Sequence, residues 1–258
     1  MRKDKRRHLR KVKRLKREHI RRAMNKKVFF TLTKCNKILQ GVSNKYCYKS
    51  NMHNLIFKGA KFENVRYRAS IITNCNYNNT NLNGVDFCNS NLRKTSFKDA
   101  RLQNVCFINC DLRDVNFQNA EFKNVIFVCT DTGKTKNLPD NTNYRVYNTY
   151  PNIELKNDTQ NKLIELSNED LIYDPHVLHV NKNKLNLWTL KILTDLYGDD
   201  IFKAIYAIKG RKNKKGFFTI YSYTSLRHRN LSFLQFIQRT YRFLLQSVQV
   251  QVWLQSSA

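Results

Sequence analysis

Between residues 53 and 129 every fifth residue is large and apolar: Phe57, Phe62, Tyr67, Ile72, Tyr77, Leu82, Phe87, Leu92, Phe97, Leu102, Phe107, Leu112, Phe117, Phe122 and Phe127, fifteen in register without a slip. Two residues before each, after Leu55 at the first, stands a small or β-branched one, as at Ala60, Val65, Ser70, Cys75, Thr80 and Val85. Two residues after it the chain prefers turn formers, with Asn at 64, 74, 79, 89, 104, 109, 119 and 124 and Gly59, Gly84, Asp99 and Asp114 in four of the remaining places. Positions two apart point to the same side of an extended backbone. The small and large residues of each repeat therefore face inward together, and the residue between them faces out. Asn, Gly and Asp accept left-handed or side-chain-bonded conformations. A period of five fits neither an α-helix nor a flat strand; it predicts a chain that turns a corner every five residues.

Runs such as Ala100-Arg101-Leu102-Gln103-Asn104, Cys110-Asp111-Leu112-Arg113-Asp114 and Ala120-Glu121-Phe122-Lys123-Asn124 carry this pattern most clearly. In them the chain resembles the pentapeptide-repeat family. The resemblance implies a mainly β fold, a right-handed quadrilateral β-helix with four repeats per coil. Fifteen repeats would make just under four coils, a stack about 18 Å tall at strand spacing. Four repeats per coil should set residues twenty apart in columns. The columns read Phe57/Tyr77/Phe97/Phe117, Phe62/Leu82/Leu102/Phe122, Tyr67/Phe87/Phe107/Phe127 and Ile72/Leu92/Leu112. Two opposite faces are wholly aromatic and two largely aliphatic, a sorting that the period does not itself impose and that would fill a narrow interior. Phe57, Phe62, Phe87, Leu92, Phe97, Leu102, Phe107, Leu112, Phe117, Phe122 and Phe127 are the candidate structural core.

Charge changes the picture outside the repeat. The 258 residues carry 47 Lys+Arg against 19 Asp+Glu, a formal charge of +28. Residues 1–27 hold 15 of the basic residues and only Asp4 and Glu18, a net +13. This is a basic arm rather than a uniformly basic domain. It has no Gly or Pro, and Leu9, Val12, Leu15, Ile20, Ala23 and Met24 give a thin apolar stripe at helical spacing. Its candidate polyanion contacts are Arg2, Lys3, Lys5, Arg6, Arg7, Arg10, Lys11, Lys13, Arg14, Lys16, Arg17, Arg21 and Arg22. Nucleic-acid phosphates are the partner expected, with anionic lipid or an acidic protein as alternatives and a solvated tail as the reading without function. No aromatic is interleaved to stack on bases, so nothing in the arm points to single-strand readout.

The outer side of the repeat carries Lys58, Lys61, Arg66, Arg68, Arg93, Lys94, Lys98, Arg101, Arg113 and Lys123 against six acids. Some members of the resembled family, the quinolone-resistance proteins, mimic duplex DNA and occupy the DNA site of gyrase. That mechanism needs an acidic face, and the overall sign here is wrong for it. Asp86, Asp99, Asp111, Asp114 and Glu121 cluster late in the repeat, which leaves a local acidic face, and so a topoisomerase partner, as the alternative. Solenoids of this kind are extended binding surfaces.

Seven cysteines lack an even count and close spacings, so neither a disulfide scaffold nor a zinc site is indicated, and reduced thiols suit the cytoplasm. The register places Cys75 and Cys110 inward and Cys88, Cys106 and Cys129 outward as surface thiols. No apolar run is long enough for a transmembrane helix, and the basic N-terminus lacks the apolar run of a signal peptide. Gly133-Lys134-Thr135 lacks the first glycine of a phosphate loop, because Val128 stands there. His176 and His179 have no third ligand signalled nearby. No catalytic motif is present, so no enzyme and no cofactor are expected.

The expected organisation is an arm and N-terminal cap over 1–52, the β-helix over 53–129, a linker with little order over 130–165, and a small α/β or α-helical domain with its tail over 166–258. A helix is expected from Asn186 to Tyr197, stopping at Gly198, and a second from Asp199 to Gly210, then a basic turn and a strand over Phe217–Tyr223. Two helices and a basic-edged strand resemble a winged-helix domain in outline; a helical domain capping the last coil is the preferred reading. The tail from Leu231 puts Leu234, Ile237, Tyr241 and Leu245 on one helical face and ends in neutral alternation, a surface suited to burial, to a partner or to a homodimer.

Overall fold

The computed structural model describes residues 31–33, 35–140, 144–224 and 226. The chain divides into two compact units, Met1–Tyr150 and Pro151–Ala258. In the first, β1 (Thr31–Thr33), β2 (Ser43–Tyr48), β3 (Asn51–His53), β4 (Lys61–Arg68), β5 (Ile71–Thr73), β6 (Asn81–Cys88), β7 (Arg101–Ile108), β8 (Glu121–Lys123), β9 (Val125–Val128) and β10 (Tyr144–Tyr147) wind a parallel β-solenoid of about five turns. One sheet runs β1-β3-β5 and another β10-β9-β7-β6-β4-β2, with β8 beside β7. Partners stand twenty residues apart: Thr31 opposite Asn51, Lys61 opposite Asn81, Phe87 opposite Phe107. Four pentapeptides therefore make one coil.

The corners follow the turn formers. All eight asparagines at the fifth-residue places, together with Gly59, Gly84, Asp99 and Asp114, have φ between 48° and 75°. Ala69 and Lys94 are held there as well, at 52° and 59°, so the repeat imposes the corner even where the residue does not favour it. At several corners the side chains form ladders between coils. Asn64 Nδ2 donates to Asn44 Oδ1 at 2.8 Å, and Asn124 does the same to Asn104.

Inside, the columns close into one core. Phe57, Tyr77, Phe97 and Phe117 stack with centroids 4.8 to 5.5 Å apart, and Tyr67, Phe87, Phe107 and Phe127 at 5.2 to 5.3 Å. Every candidate core residue of the repeat is buried. Each such ring stabilises the fold by about 1.5–3 kcal/mol through burial, and its stacked neighbours add roughly 0.5–1.5 kcal/mol.

The strict repeat spans 53–129, but the ladders run past it at both ends. β1 and β2 pair ahead of it, and β10 adds behind, with Tyr144 opposite Val125 at an offset of nineteen. Backbone pairing needs only an extended chain beside an open sheet edge, so Asn/Thr-rich sequence joins the ladder without the repeat. Tyr144 packs on Phe122 and Phe127 and covers that end of the core.

The second unit holds α1 (Asn157–Glu165), α2 (Asp170–Tyr173), the antiparallel pair β11 (His179–Asn181) and β12 (Lys184–Leu185), α3 (Leu187–Tyr197) and α4 (Ile201–Tyr206). α1 thus falls where the composition suggests a linker with little order; Leu163, buried on its inner side, and Leu166, buried just beyond its end, anchor it. Asn186 caps α3 by accepting from Thr189 N, and Gly198, at φ 70°, ends it. The segment expected as a strand, Phe217–Tyr223, is instead helical from Ile220. The cause is a reciprocal cap: Ser222 N donates to Thr219 Oγ1, and Thr219 N donates to Ser222 Oγ, each at 3.2 Å.

Candidate functional site

The surface a solenoid offers a partner is its outward positions, and four faces present them here. The first carries Asn76, Ser96 and Asn116, a polar column half-buried between coils. The second carries Lys61, Asn81, Arg101 and Glu121, all exposed. The fourth carries Ile71, Asn91 and Asp111, exposed or half-buried.

The third face differs. Its outward column is Tyr46, Arg66, Asp86, Cys106 and Ile126, each paired with the next. Arg66 is 2% exposed, Asp86 0%, Cys106 5% and Ile126 2%. Arg66 Nη1 donates to Asp86 Oδ2 at 2.6 Å, a buried ion pair across two coils. The neighbouring outward column, Arg68, Cys88, Ile108 and Val128, is half-buried or buried too. Cys88 and Cys106 are therefore not the surface thiols that the repeat register predicts. Burial pushes the Cys88 thiol up to about 12, and burial, with the Asp86 carboxylate next, drives Cys106 well above its ordinary value. Cys129 is exposed, Cys75 and Cys110 are buried inward as expected, and all seven cysteines are free thiols. A signal for this face does exist in the sequence: Cys106, Ile108, Ile126 and Val128 are apolar at outward places, and all belong to one face once residues are sorted by twenties.

The late acids do not form one surface. Asp86 lies on the third face, Glu121 on the second, Asp111 and Asp114 at the fourth, and Asp99 at the corner after the first. Most have a cation at hand: Arg101 for Glu121 at 3.0 Å, Arg113 for Asp111 at 2.6 Å and Lys136 for Asp114 at 3.1 Å. The Arg113 guanidinium, donating to Asp111, holds that carboxyl below its usual range. Lys134 of the Gly-Lys-Thr triplet lines a hollow of about 250 Å³ with Asp111, Arg113 and Asp131, its Nζ 3.6 Å from Asp131. The cations of that hollow are matched by carboxylates.

In the second unit, His179 is buried, and its Nε2 donates to the Leu163 carbonyl at 2.9 Å, which takes that nitrogen out of ligand service. Among the described residues no group of three His, Cys, Asp or Glu is placed to hold a metal, and no helix is long and apolar enough to cross a membrane. The candidate polyanion contacts, Arg2 to Arg22, and the tail from Leu231 lie outside the described residues.

A family model, described as the pentapeptide repeat region, matches residues 50–127. That segment is a pentapeptide-repeat region. Similar solved structures include a pentapeptide repeat protein from the Arabidopsis thaliana thylakoid lumen, 13% identical, covering 49% of this chain and 72% of that one with a TM-score of 0.18. Another is full-length QnrB1, a plasmid-mediated fluoroquinolone resistance protein, 13% identical, covering 53% of this chain and 96% of that one with a TM-score of 0.15. No curated protein matches the chain. The pentapeptide-repeat assignment agrees with the coil read from the ladders.

Proposed function

We propose that this pentapeptide-repeat chain is a non-enzymatic binding scaffold of the cytoplasm, in which the solenoid presents a rigid surface and the basic arm contacts nucleic-acid phosphates. The observation that carries the reading is the net +13 on residues 1–27. A segment so charged attracts a polyanion by releasing its counterions, whatever the base sequence. The competing reading, a topoisomerase-directed mimic of duplex DNA, needs a continuous acidic stripe. The dispersal of the five late acids over different faces, four of them beside cations, weighs against it.

The test is duplex-DNA affinity across a salt series for the whole chain and for a variant with Arg10, Lys11, Lys13 and Arg14 changed to glutamine. The reading expects affinity to fall steeply with salt, and the variant's log–log slope to be shallower by roughly one for each phosphate contact removed. Equal slopes would remove the arm from the contact, and no binding at low salt would end the nucleic-acid reading.

A further inference from the structure

The second unit carries a concentration of charge of its own, apart from the arm. Five of the seven residues from Lys209 to Lys215 are cations, and no acid follows Asp200 in the sequence. Two of the five hold the segment in place. Lys209 Nζ donates to Glu165 Oε1 at the end of α1, where the Tyr206 hydroxyl donates to Oε2 at 3.0 Å, and Lys214 Nζ stands 2.8 Å from Glu169 Oε1. Between these ties the backbone closes on itself. Arg211 N donates to the Ile208 carbonyl at 2.9 Å, and Lys215 N to Asn213 Oδ1 at 3.0 Å. Ile208 before the loop and Phe217 after it are buried, the Phe217 ring 5.2 Å from that of Tyr223. The remaining cations, Arg211, Lys212 and Lys215, form no ion pair among the described residues. Lys212 and Lys215 are exposed, and Arg211 is half-buried.

We propose that the loop from Lys209 to Lys215 is a second contact for nucleic-acid phosphates, made by Arg211, Lys212 and Lys215. Like charges packed into so short a loop repel one another, and on a free chain they would spread it. Here Glu165 and Glu169 take up Lys209 and Lys214, so the backbone is ordered before a partner arrives. Binding then immobilises only three side chains, at about 0.5–1.5 kcal/mol each. The donors suit a phosphate: the Arg211 guanidinium can meet two of its oxygens at once, and Lys212 and Lys215 act as point charges. Asn213, the other polar side chain of the loop, has its Oδ1 engaged in the turn, so the contact is expected to be indifferent to base sequence. The loop contains no apolar side chain, and so lacks the anchor by which a basic segment enters a bilayer interface. This contact shares its ligand class with the polyanion reading of the arm, and none of its residues.

The test uses the full chain and a short fluorescent DNA duplex across a salt series. In an Arg211→Gln, Lys212→Gln, Lys215→Gln variant the slope of log affinity against log salt should be shallower by about three, roughly one for each phosphate contact. A Lys58→Gln, Lys61→Gln, Lys98→Gln variant removes the same charge from the solenoid and should keep the wild-type slope. In the bound wild type, Lys212 and Lys215 should lose most of their reactivity to acetylation, followed by peptide mass mapping, while Lys58 and Lys61 keep theirs. Should the triple change unfold the second unit, Lys212→Gln with Lys215→Gln touches exposed residues alone and should flatten the slope by about two. An unchanged slope with unprotected lysines overturns the loop contact, as does a solenoid control that flattens the slope equally. Protection by phosphatidylserine vesicles and not by the duplex would overturn it too, by assigning the loop to a membrane. The arm variant separates the two readings. An unchanged loop slope with a shallower arm slope removes the loop and spares the arm; the reverse pattern spares the loop, and no binding at low salt ends both.

Discussion

The second and third faces of the solenoid are built from the same repeat, share strands β4, β6 and β7, and differ most in how far their outward residues are buried. On the second, Arg101 and Glu121 pair at 3.0 Å while 71% and 69% exposed. On the third, Arg66 and Asp86 pair at 2.6 Å at 3% and 0%. The inward positions fix the coil and leave the outward ones free, so an identical backbone carries a solvated face and a covered one. The same ion-pair chemistry is then marginal on one face and structural on the other, because water screens the first and is excluded from the second.

Six variants test that contrast, all read as denaturant melts with far-UV circular dichroism. The largest effect belongs to the core that both faces share. Phe97→Asp removes a ring stacked 5.2 Å from Tyr77 and 5.5 Å from Phe117 and buries a charge in its place. The ring alone is worth about 3–5 kcal/mol, and with the charge added the β-helix should lose its cooperative transition. An unchanged melt would refute the register. Next comes Asp86→Ala, which takes the carboxylate from beside a buried guanidinium and should cost about 3–5 kcal/mol. The double change Arg66→Met, Asp86→Leu should recover most of that loss, and a cost as small as that on the second face would erase the contrast.

Asn104 sits at a corner with φ 56°. Asn104→Val, β-branched and unsuited to that region, should cost about 1–2 kcal/mol, and Asn104→Gly much less. Equal costs for the two would move the effect from the corner to the lost side-chain ladder. The smallest change is Arg101→Ala, expected within about 1 kcal/mol of wild type. A loss near that of Asp86→Ala would show that the second face is covered as well.

The inward side of the coil was fully legible, because a period of five with columns of twenty constrains backbone and core together. The burial of the third face is less legible, because the outward positions follow no repeat of five and show their pattern only when residues are sorted by twenties. Arg66 and Asp86 look like surface charges until the partner twenty residues away is considered with the apolar Cys106 and Ile126 below them. Elsewhere local chemistry decided the outcome. The Asn186 cap and Gly198 stop made α3 readable, whereas Thr219 and Ser222 cap a helix in a stretch whose Phe, Ile and Tyr content suggests a strand. β10 carries no repeat signal, because Tyr144–Tyr147 joins the ladder through its backbone, one residue out of the twenty-residue register.

The most direct test of the contrast between faces is thiol labelling of the native wild-type chain, comparing Cys106 on the third face with Cys129 at an exposed corner. The account predicts rapid modification of Cys129 and protection of Cys106 until the chain unfolds. Equal rates for the two under native conditions would contradict the covered face.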